Sequence, residues 1–311
     1  MPDKEQAHLE AWTLDQLAKS VFFHRKLHEW KLLEIASPID QVHGENLDWH
    51  DLNISEQAWS KVIHRGIKPV IVFAHPYVLQ AIPGSASYYR MLALVSQKSM
   101  KRIGLNLDPY EAGKPVNDMQ TAVAIARHLN RIVSALVEAD DEIDVREFDL
   151  WRGMAAGSQA QGSWQNTKGA SAEKAIREVI LQRLQKRQLI SGRQASAARI
   201  DLGDGRVLVF ADEPDIAIVQ NDVPQIAVEI KGGIDQAGVL ERIGAALKSL
   251  RRTRQENPHS VTVLILPDVA MTERAREDLS INVETVTHLC SLKAILEDER
   301  ERERFFQILR L

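Results

Sequence analysis

The sequence has one cysteine, no long apolar run and little net charge, and each of these absences excludes a class of protein. The single cysteine, Cys290, excludes an internal disulfide and a zinc site built from several cysteines. No apolar run approaches the roughly 18 to 20 residues that a membrane-spanning helix needs. The N-terminal residues MPDKEQAHLE are polar and carry both signs of charge, unlike a secretory signal. We therefore expect a reducing, cytoplasmic setting and no membrane contact.

Basic residues are concentrated in one stretch of a chain that is acidic overall. The formal net charge is −4, which argues against non-specific coating of nucleic acid. Between Lys168 and Arg199, however, eight basic residues are accompanied by only two acids, Glu173 and Glu178. This stretch favours a directed site for a polyanion. A solvated helix face explains the same charges, and both interpretations stay open at this point.

Residues 1–155 are predicted to form a mainly helical region. Apolar residues recur at three- and four-residue spacing in segments 11–35 and 119–139. One short apolar run, Pro69–Phe73, is a candidate strand. The polar, glycine-bearing segment 152–169 predicts a loop, with a domain boundary near residue 155.

Residues 156–311 are predicted to form an α/β core, in which helices flank a mixed sheet. An amphipathic helix is predicted after Ser171, which can serve as its N-cap. Two hairpins are predicted next, at residues 198–210 and 213–231. A long helix, a buried strand, a helix, a strand and a charged helix complete the order.

The second hairpin, EPDIAIVQNDVPQIAVEIKGG, carries acids in otherwise apolar strands. If its turn is centred near Asp222, Asp215 lies opposite Glu229, and a shift of half a residue leaves them neighbours. Lys231 is two residues beyond Glu229 and so projects from the same sheet face. The hairpin is therefore expected to bring two carboxylates and one ammonium together.

Two carboxylates at such close range repel, and burial raises the cost. A divalent cation relieves both effects, and two oxygen ligands with waters and substrate phosphate are what Mg²⁺ prefers. Asp215 and Glu229 are thus predicted metal ligands, and Lys231 is predicted to orient water or stabilise developing charge during phosphodiester hydrolysis. The two glycines that follow Lys231 are interpreted as space for a substrate backbone. A salt-bridged edge hairpin without catalysis is the alternative.

Glu173 is a candidate third acid beside this site. It lies in the first turn of the predicted helix that starts after Ser171. An acid at that position also interacts favourably with a helix N-terminus without any catalytic role. The sequence does not separate these two explanations.

The residues Pro214 and Asp215, followed after an interval by Glu229, Ile230 and Lys231, resemble the PD-(D/E)xK nuclease signature. Within that superfamily the chain resembles type II restriction endonucleases of the XcyI kind. The segments that carry this second resemblance are SASYYRMLALVSQKSM, NTKGASAEKAI and VEIKGGIDQAGVLERIGAALKS. The resemblance implies that Asp215 and Glu229 bind metal, that Lys231 is the catalytic lysine and that Glu173 is an auxiliary acid.

This resemblance also implies a substrate and partners. Enzymes of this kind cut double-stranded DNA at a short palindrome, CCCGGG for the namesake, and a two-fold homodimer reads a palindrome most simply. A cognate DNA methyltransferase is the expected functional partner. The helical region is the candidate for DNA recognition and dimerisation. Candidate DNA contacts are Asn166, Lys168, Lys174, Arg177, Gln236, Arg242, Lys248 and Arg251.

Two other functions fit the same residues. A repair or junction nuclease would use the same site with structure-directed binding. A DNA-binding module with an inactive nuclease fold is the third possibility, and the intact set of Asp215, Glu229 and Lys231 argues against it.

Overall fold

Helices make up the first part of the chain, as its apolar spacing predicts. We describe a computed structural model in which residues 2–190, 198–232, 239–271 and 273–311 are defined. The chain divides into an N-terminal unit, Met1–Gly162, and a C-terminal unit, Ser163–Leu311. The helices up to residue 139 are α1 Pro2–Glu29, α2 Leu32–Asp40, α3 Glu56–His64, α4 Pro69–Val72, α5 Pro76–Ala81, α6 Ser85–Leu92, α7 Gln97–Arg102, α8 Asp108–Glu111 and α9 Met119–Ala139. A short 3₁₀ helix spans Gly44–Asn46.

The strand predicted at Pro69–Phe73 is wrong, because these residues form α4. Pro69 occupies the start of the helix, where a missing N–H costs nothing. In so short a helix only the carbonyl of Pro69 accepts a helical hydrogen bond, from the Phe73 N–H, and the later carbonyls need other partners. The hydroxyls of Tyr89 and Tyr88 donate to two of them, Val70 O and Ile71 O, at 2.7 and 2.9 Å. Tertiary hydrogen bonds therefore favour a helical turn over an extended strand.

A buried charge cluster, which we call the Arg90 cluster, lies inside the N-terminal unit. The guanidinium of Arg90 pairs with both carboxylate oxygens of Glu111, and the two side chains are 2 and 8 % exposed. It also donates to Val95 O at 2.7 Å and to Gln159 Oε1 at 2.6 Å. Gln97 donates to Glu111 Oε2 at 2.6 Å. The charges of Arg90 and Glu111 therefore offset each other, and the other hydrogen-bond partners in the cluster are neutral.

The predicted loop at residues 152–169 is also wrong, since it lies within α10, Val145–Lys186. The division between the two units falls inside this helix, after Gly162. Glycine and serine suggested a loop, but intrinsic propensity is a weak guide that tertiary context overrides. Ser171 is consequently interior to a helix and caps nothing. The glycines at 153, 157, 162 and 169 have open space where a side chain would be, and nothing in the structure explains them.

The C-terminal unit contains the predicted mixed sheet between two helical layers. The strands are β1 Arg199–Asp201, β2 Arg206–Phe210, β3 Ile216–Gln220, β4 Val223–Ile230, β5 Val261–Leu266 and β6 His288–Ser291. They lie side by side in chain order, antiparallel from β1 to β4 and parallel from β4 to β6. The α/β fold with a helical N-terminal region is thus confirmed.

Each face of this sheet packs against helices. One face carries Ile226, Val228 and Ile230 of β4 and packs on the apolar side of α10. The C-terminal helices α13 Leu292–Glu297 and α14 Glu299–Leu309 join the same core. One charged helix was predicted in this segment, but Asp298 separates two helices and caps the second, α14. The other face packs on α11 Val239–Glu256 and α12 Glu273–Ile281. No helix in the described ranges combines the length and apolarity that crossing a bilayer requires.

Candidate functional site

The turn and the register of the β3–β4 hairpin decide where its acids lie. Asn221 and Asp222 both have positive φ, at 53° and 60°, as in a two-residue type I′ turn. The turn centre is therefore half a residue before the predicted one. Gln220 pairs with Val223 at the turn, and Ile216 pairs with Val228 at the open end. A bulge that leaves Gln225 unpaired lies between these pairs and shifts the register by one residue.

Beyond the bulge Ile216 pairs with Val228, so the residues one position further from the turn, Asp215 and Glu229, lie opposite each other, as predicted. Asp215 Oδ2 accepts a hydrogen bond from the backbone N–H of Ile230 at 2.6 Å. The Lys231 ammonium donates to Glu229 Oε2 at 2.5 Å and lies 3.6 Å from Asp215 Oδ2. We call these three side chains the Lys231 cluster. The predicted proximity of two acids and one lysine is thus confirmed.

The Lys231 cluster lies at the edge of a buried core. The side chain of Glu229 is 1 % exposed, that of Asp215 is 9 % exposed and that of Lys231 is 22 % exposed. Along β4, the apolar residues alternate to the opposite sheet face, where they pack against α10. Exposure increases from Glu229 to Lys231, so the ammonium end of the cluster is the one that solvent or a ligand reaches.

Burial and charge together displace the protonation equilibria of this cluster. The pKa of Asp215 is raised from 3.8 to about 7, mainly by burial and in part by the Glu229 charge, whereas the hydrogen bond from the Ile230 N–H and the Lys231 charge oppose the rise. Burial lowers the pKa of Lys231, but its hydrogen bond to Glu229 and the neighbouring negative charges outweigh burial and raise it overall. Lys231 is therefore charged at neutral pH, whereas Asp215 is protonated in part of the molecules.

One oxygen of the Lys231 cluster, Glu229 Oε1, is buried and has no hydrogen-bond partner among the residues that the structure describes. A buried acceptor left without a partner costs about 1 to 3 kcal/mol, and more when it is charged. When Asp215 is ionised, the cluster of two carboxylates and one ammonium also has one negative charge in excess. The donor set therefore fits a hard cation, which supplies both the missing charge and the missing contact.

Glu173 lies in the interior of α10, so the N-terminal explanation of this acid is wrong. Burial raises the pKa of its carboxyl, Lys231 lowers it, and Asp212 and Glu229 raise it. Glu173 is thus electrostatically coupled to the Lys231 cluster. Within the described ranges, no three His, Cys, Asp or Glu side chains are grouped so as to hold a metal ion. Its role as an auxiliary acid stays a prediction.

The same coupling identifies Asp212, a residue that the sequence analysis missed. Its charge raises the pKa of Glu173. Asp212 precedes β3 by a few residues, and its place as the first acid of the segment ADEPD was the available signal. It adds negative charge beside Glu173 and so increases the excess that a cation would offset.

Gly232 faces a helix, and the interpretation of this glycine as space for substrate is wrong. A Cβ atom at this position would lie 2.1 Å from the Cβ atom of Ala172 in α10. The space that the glycine leaves is therefore filled by protein. Gly233 lies outside the described residues.

The predicted DNA contacts divide between two helices. In α10, the Lys168 ammonium lies over the Trp164 ring at 5.6 Å, and the Arg177 guanidinium lies over the Phe210 ring at 4.4 Å. Lys174, 77 % exposed, is 3.9 Å from Glu178. Asn166 is exposed on the same helix. These polar side chains are therefore on a helix whose C-terminal part packs on the sheet.

The remaining candidates belong to α11 and the segment before it. Lys248 is exposed, and Arg251 reaches Asn282 at 3.5 Å. Gln236 and the side chain of Arg242 lie outside the described residues. Arg183, part of the basic stretch, is buried and holds Glu303 in two hydrogen bonds of 2.9 and 2.7 Å. That arginine therefore belongs to the core of the unit, and the solvated-face explanation fails for it.

Known proteins match most of this chain. The family model described as XcyI restriction endonuclease matches residues 37–305. The type II restriction enzyme XcyI of Xanthomonas campestris pv. cyanopsidis is 30 % identical over 215 residues, which is 61 % of this chain and 61 % of that protein. The type II restriction enzyme Cfr9I of Citrobacter freundii is 24 % identical over 205 residues, 61 % of this chain and 62 % of that protein. The alignments thus span about three fifths of the length of these relatives.

Proposed function

This chain belongs to the XcyI restriction endonuclease family, and on that premise we propose that it is a type II restriction endonuclease. In this proposal it hydrolyses phosphodiester bonds of double-stranded DNA at a specific short sequence. Two relatives named type II restriction enzymes support the assignment. The family match spans the hairpin that carries the Lys231 cluster, so the proposed chemistry lies inside the matched region.

The observation that carries the proposal is Glu229 Oε1, a buried oxygen beside Asp215 and Lys231 that has no hydrogen-bond partner in the described part of the chain. A salt bridge to Lys231 uses one oxygen of Glu229 and does not explain why the other oxygen is buried without a hydrogen-bond partner in the described part of the chain. A buried polar atom of this kind calls for an explanation, and binding of an ion or catalysis is one. The alternative of a non-catalytic edge hairpin is therefore the weaker explanation.

Asp215 and Glu229 would hold a divalent cation, for which we propose Mg²⁺. Mg²⁺ typically binds through one or two carboxylates together with waters and substrate phosphate, which agrees with a site of two acids. When bound, this ion supplies polarisation of a phosphoryl oxygen and a lower pKa for water. Lys231, held by Glu229 and partly exposed, would use its remaining N–H groups to stabilise charge on the phosphate. Glu173 adds an acceptor near the same ammonium.

We propose that the protein recognises a GC-rich palindrome in DNA, and the family resemblance implies the sequence CCCGGG. Arginine and lysine read guanine O6 and N7 in the major groove. The polar residues of α10 and α11 described above are the candidates for base or phosphate contacts. A homodimer, with the N-terminal unit contributing recognition or dimerisation, would match the two-fold symmetry of such a site. We further propose a cytoplasmic protein that acts together with a cognate methyltransferase.

The test is a digest of plasmid DNA with Mg²⁺, followed by sequencing of the ends. Discrete fragments with one common end sequence are expected, and they give the site and the stagger. Cleavage confined to branched or damaged DNA would instead identify a junction or repair nuclease. Binding without cutting in any divalent metal would identify an inactive module. The Asp215→Ala variant, purified in parallel, should bind DNA in Ca²⁺ but not cut it, which excludes a contaminating nuclease.

A further inference from the structure

Gly232 and Ala172 form an unusually close approach between β4 and α10. Besides the clash with the Ala172 Cβ atom at 2.1 Å, a Cβ atom at Gly232 would lie 3.2 Å from Lys168 O and 3.5 Å from the Ala172 Cα atom. Carbon atoms in contact are normally separated by about 3.5 to 4.0 Å. Gly232 therefore has no room for a methyl group.

Backbone conformation does not explain why a glycine stands at this position. Gly232 is not among the residues with positive φ, so an alanine could adopt its backbone geometry. Among the described glycines without positive φ, all the others have open space at the Cβ position. Proximity to α10 is thus what requires glycine here.

The contact lies between residues of the proposed site. Gly232 directly follows Lys231, and Ala172 directly precedes Glu173. Glu173 interacts electrostatically with Lys231 and Glu229, since the charges of both shift the pKa of its carboxyl. Ala172 and Glu173 are neighbours in one regular helix, so they move together. A methyl group at Gly232 that pushes Ala172 away would therefore also move Glu173 relative to Lys231.

We propose that the Gly232–Ala172 contact is a spacer that sets the distance of Glu173 from the Lys231 cluster. Gly232 and Ala172 are in this sense positioning residues, which act on the reaction through Glu173. The proposal rests on the proposed function, because it assigns a role in that reaction. It adds two residues, neither charged nor polar, to those on which cleavage depends.

The first test is the Gly232→Ala variant. We expect its cleavage rate to fall about 100-fold, the order of loss that a misplacement of 1 Å can cause. DNA affinity in Ca²⁺ should stay unchanged, because the spacer lies beneath the site and not on its surface. Single-turnover cleavage measures the first quantity, and a filter-binding or anisotropy titration measures the second. A folded Gly232→Ala variant with normal cleavage would overturn the proposal.

The second test moves the methyl group to the other side of the contact. The double variant Gly232→Ala, Ala172→Gly has the same atoms and should recover most of the lost rate. Ala172→Gly alone is the matched control and should cut at nearly the normal rate, although a helical glycine costs some stability. If Gly232→Ala does not fold, the double variant still decides the matter. A folded but slow double variant would contradict the spacer.

The third test separates positioning from general disturbance. In a Glu173→Gln background the Gly232→Ala substitution should cause little additional loss, because the group on which the spacer acts is already altered. Losses that multiply would show that the contact acts elsewhere and would overturn the proposal. Asp215→Ala is measured alongside. If Asp215→Ala cuts DNA, or the unsubstituted chain does not, the proposed function itself fails, and that failure is distinct from failure of the spacer.

Discussion

Arg90 in the N-terminal unit is a buried cation and Lys231 in the C-terminal unit is a partly buried one, and although both contact carboxylates, their surroundings differ. Arg90 faces one acid, and its guanidinium and that acid are further held by Val95 O, Gln159 and Gln97. Lys231 faces two acids, and one oxygen of Glu229 has no partner in the described part of the chain. A balanced cluster stabilises the fold, whereas an unbalanced one is left ready for a ligand. Buried charge by itself does not distinguish structure from function, but charge balance does.

The Arg90 cluster should give the largest effect on stability. Arg90→Met leaves Glu111 buried without its cation, and removal of one partner of a buried ion pair costs about 3 to 5 kcal/mol. Urea unfolding, monitored by circular dichroism, measures this loss. The matched control is Arg65→Met, since Arg65 is 46 % exposed and pairs with Glu142 at 3.5 Å, and an exposed pair contributes about 1 kcal/mol or less. Equal losses in the two variants would remove the structural assignment of the Arg90 cluster.

The Lys231 cluster should give the largest effect on cleavage. Lys231→Met is expected to slow cleavage by about 100- to 1000-fold, as loss of one positioned group that stabilises developing charge does. Single-turnover kinetics with saturating enzyme measure the rate. The control is Lys293→Met, an exposed lysine 3.8 Å from Glu297 and outside the cluster. A Lys231→Met variant that cuts at the rate of this control would exclude the lysine from the reaction.

The stability of the metal-free protein should depend on pH through Asp215. Its pKa is about 7 in the folded chain against 3.8 as the ordinary value. Between these values the folded state holds a proton that the unfolded state has lost, so stability falls as pH rises from about 4 to about 7. The change should be on the order of 3 kcal/mol, measured as the difference between the wild-type chain and Asp215→Asn. A difference that stays constant over this range would contradict the raised pKa.

The smallest effects are expected outside both clusters. Lys248→Ala and Arg251→Ala should each weaken DNA binding a few-fold for all sequences alike. If each residue contacts one phosphate, each variant should also reduce the slope of log Kd against log salt by about 0.9. Titrations at several salt concentrations measure this slope. Loss of affinity for only one sequence would indicate base contact by that residue and not phosphate contact.

Much of the site could be predicted because a hairpin imposes simple geometry. The alternation of apolar and acidic residues in β4 gave the two faces, and the Asn221–Asp222 turn fixed the approximate register. The bulge at Gln225 has no clear signal in the sequence, yet it is what sets Asp215 against Glu229. The correct pairing of Asp215 with Glu229 was therefore predicted from a turn centre half a residue away from the observed one.

Other features depend on tertiary packing, which local sequence does not encode. The glycine-rich segment 152–169 was predicted to be a loop but is helical within α10. The helix was therefore predicted to begin after Ser171, and Glu173 was placed wrongly in its first turn. The role of Gly232 required knowledge that α10 passes over the end of β4. Arg183 counted as surface charge until its partner Glu303, far away along the chain, was known.

The central claim is that the unbalanced acids Asp215 and Glu229 bind a divalent cation. Thermal unfolding in Mg²⁺ and in chelator tests it directly, because a ligand that binds the folded state raises the unfolding temperature. Asp222→Asn is the matched control, the same substitution in the turn of the same hairpin, where Asn tolerates the positive φ. Mg²⁺ should raise the unfolding temperature of the wild-type chain and of Asp222→Asn, but not that of Asp215→Asn. An equal rise in Asp215→Asn would contradict the account.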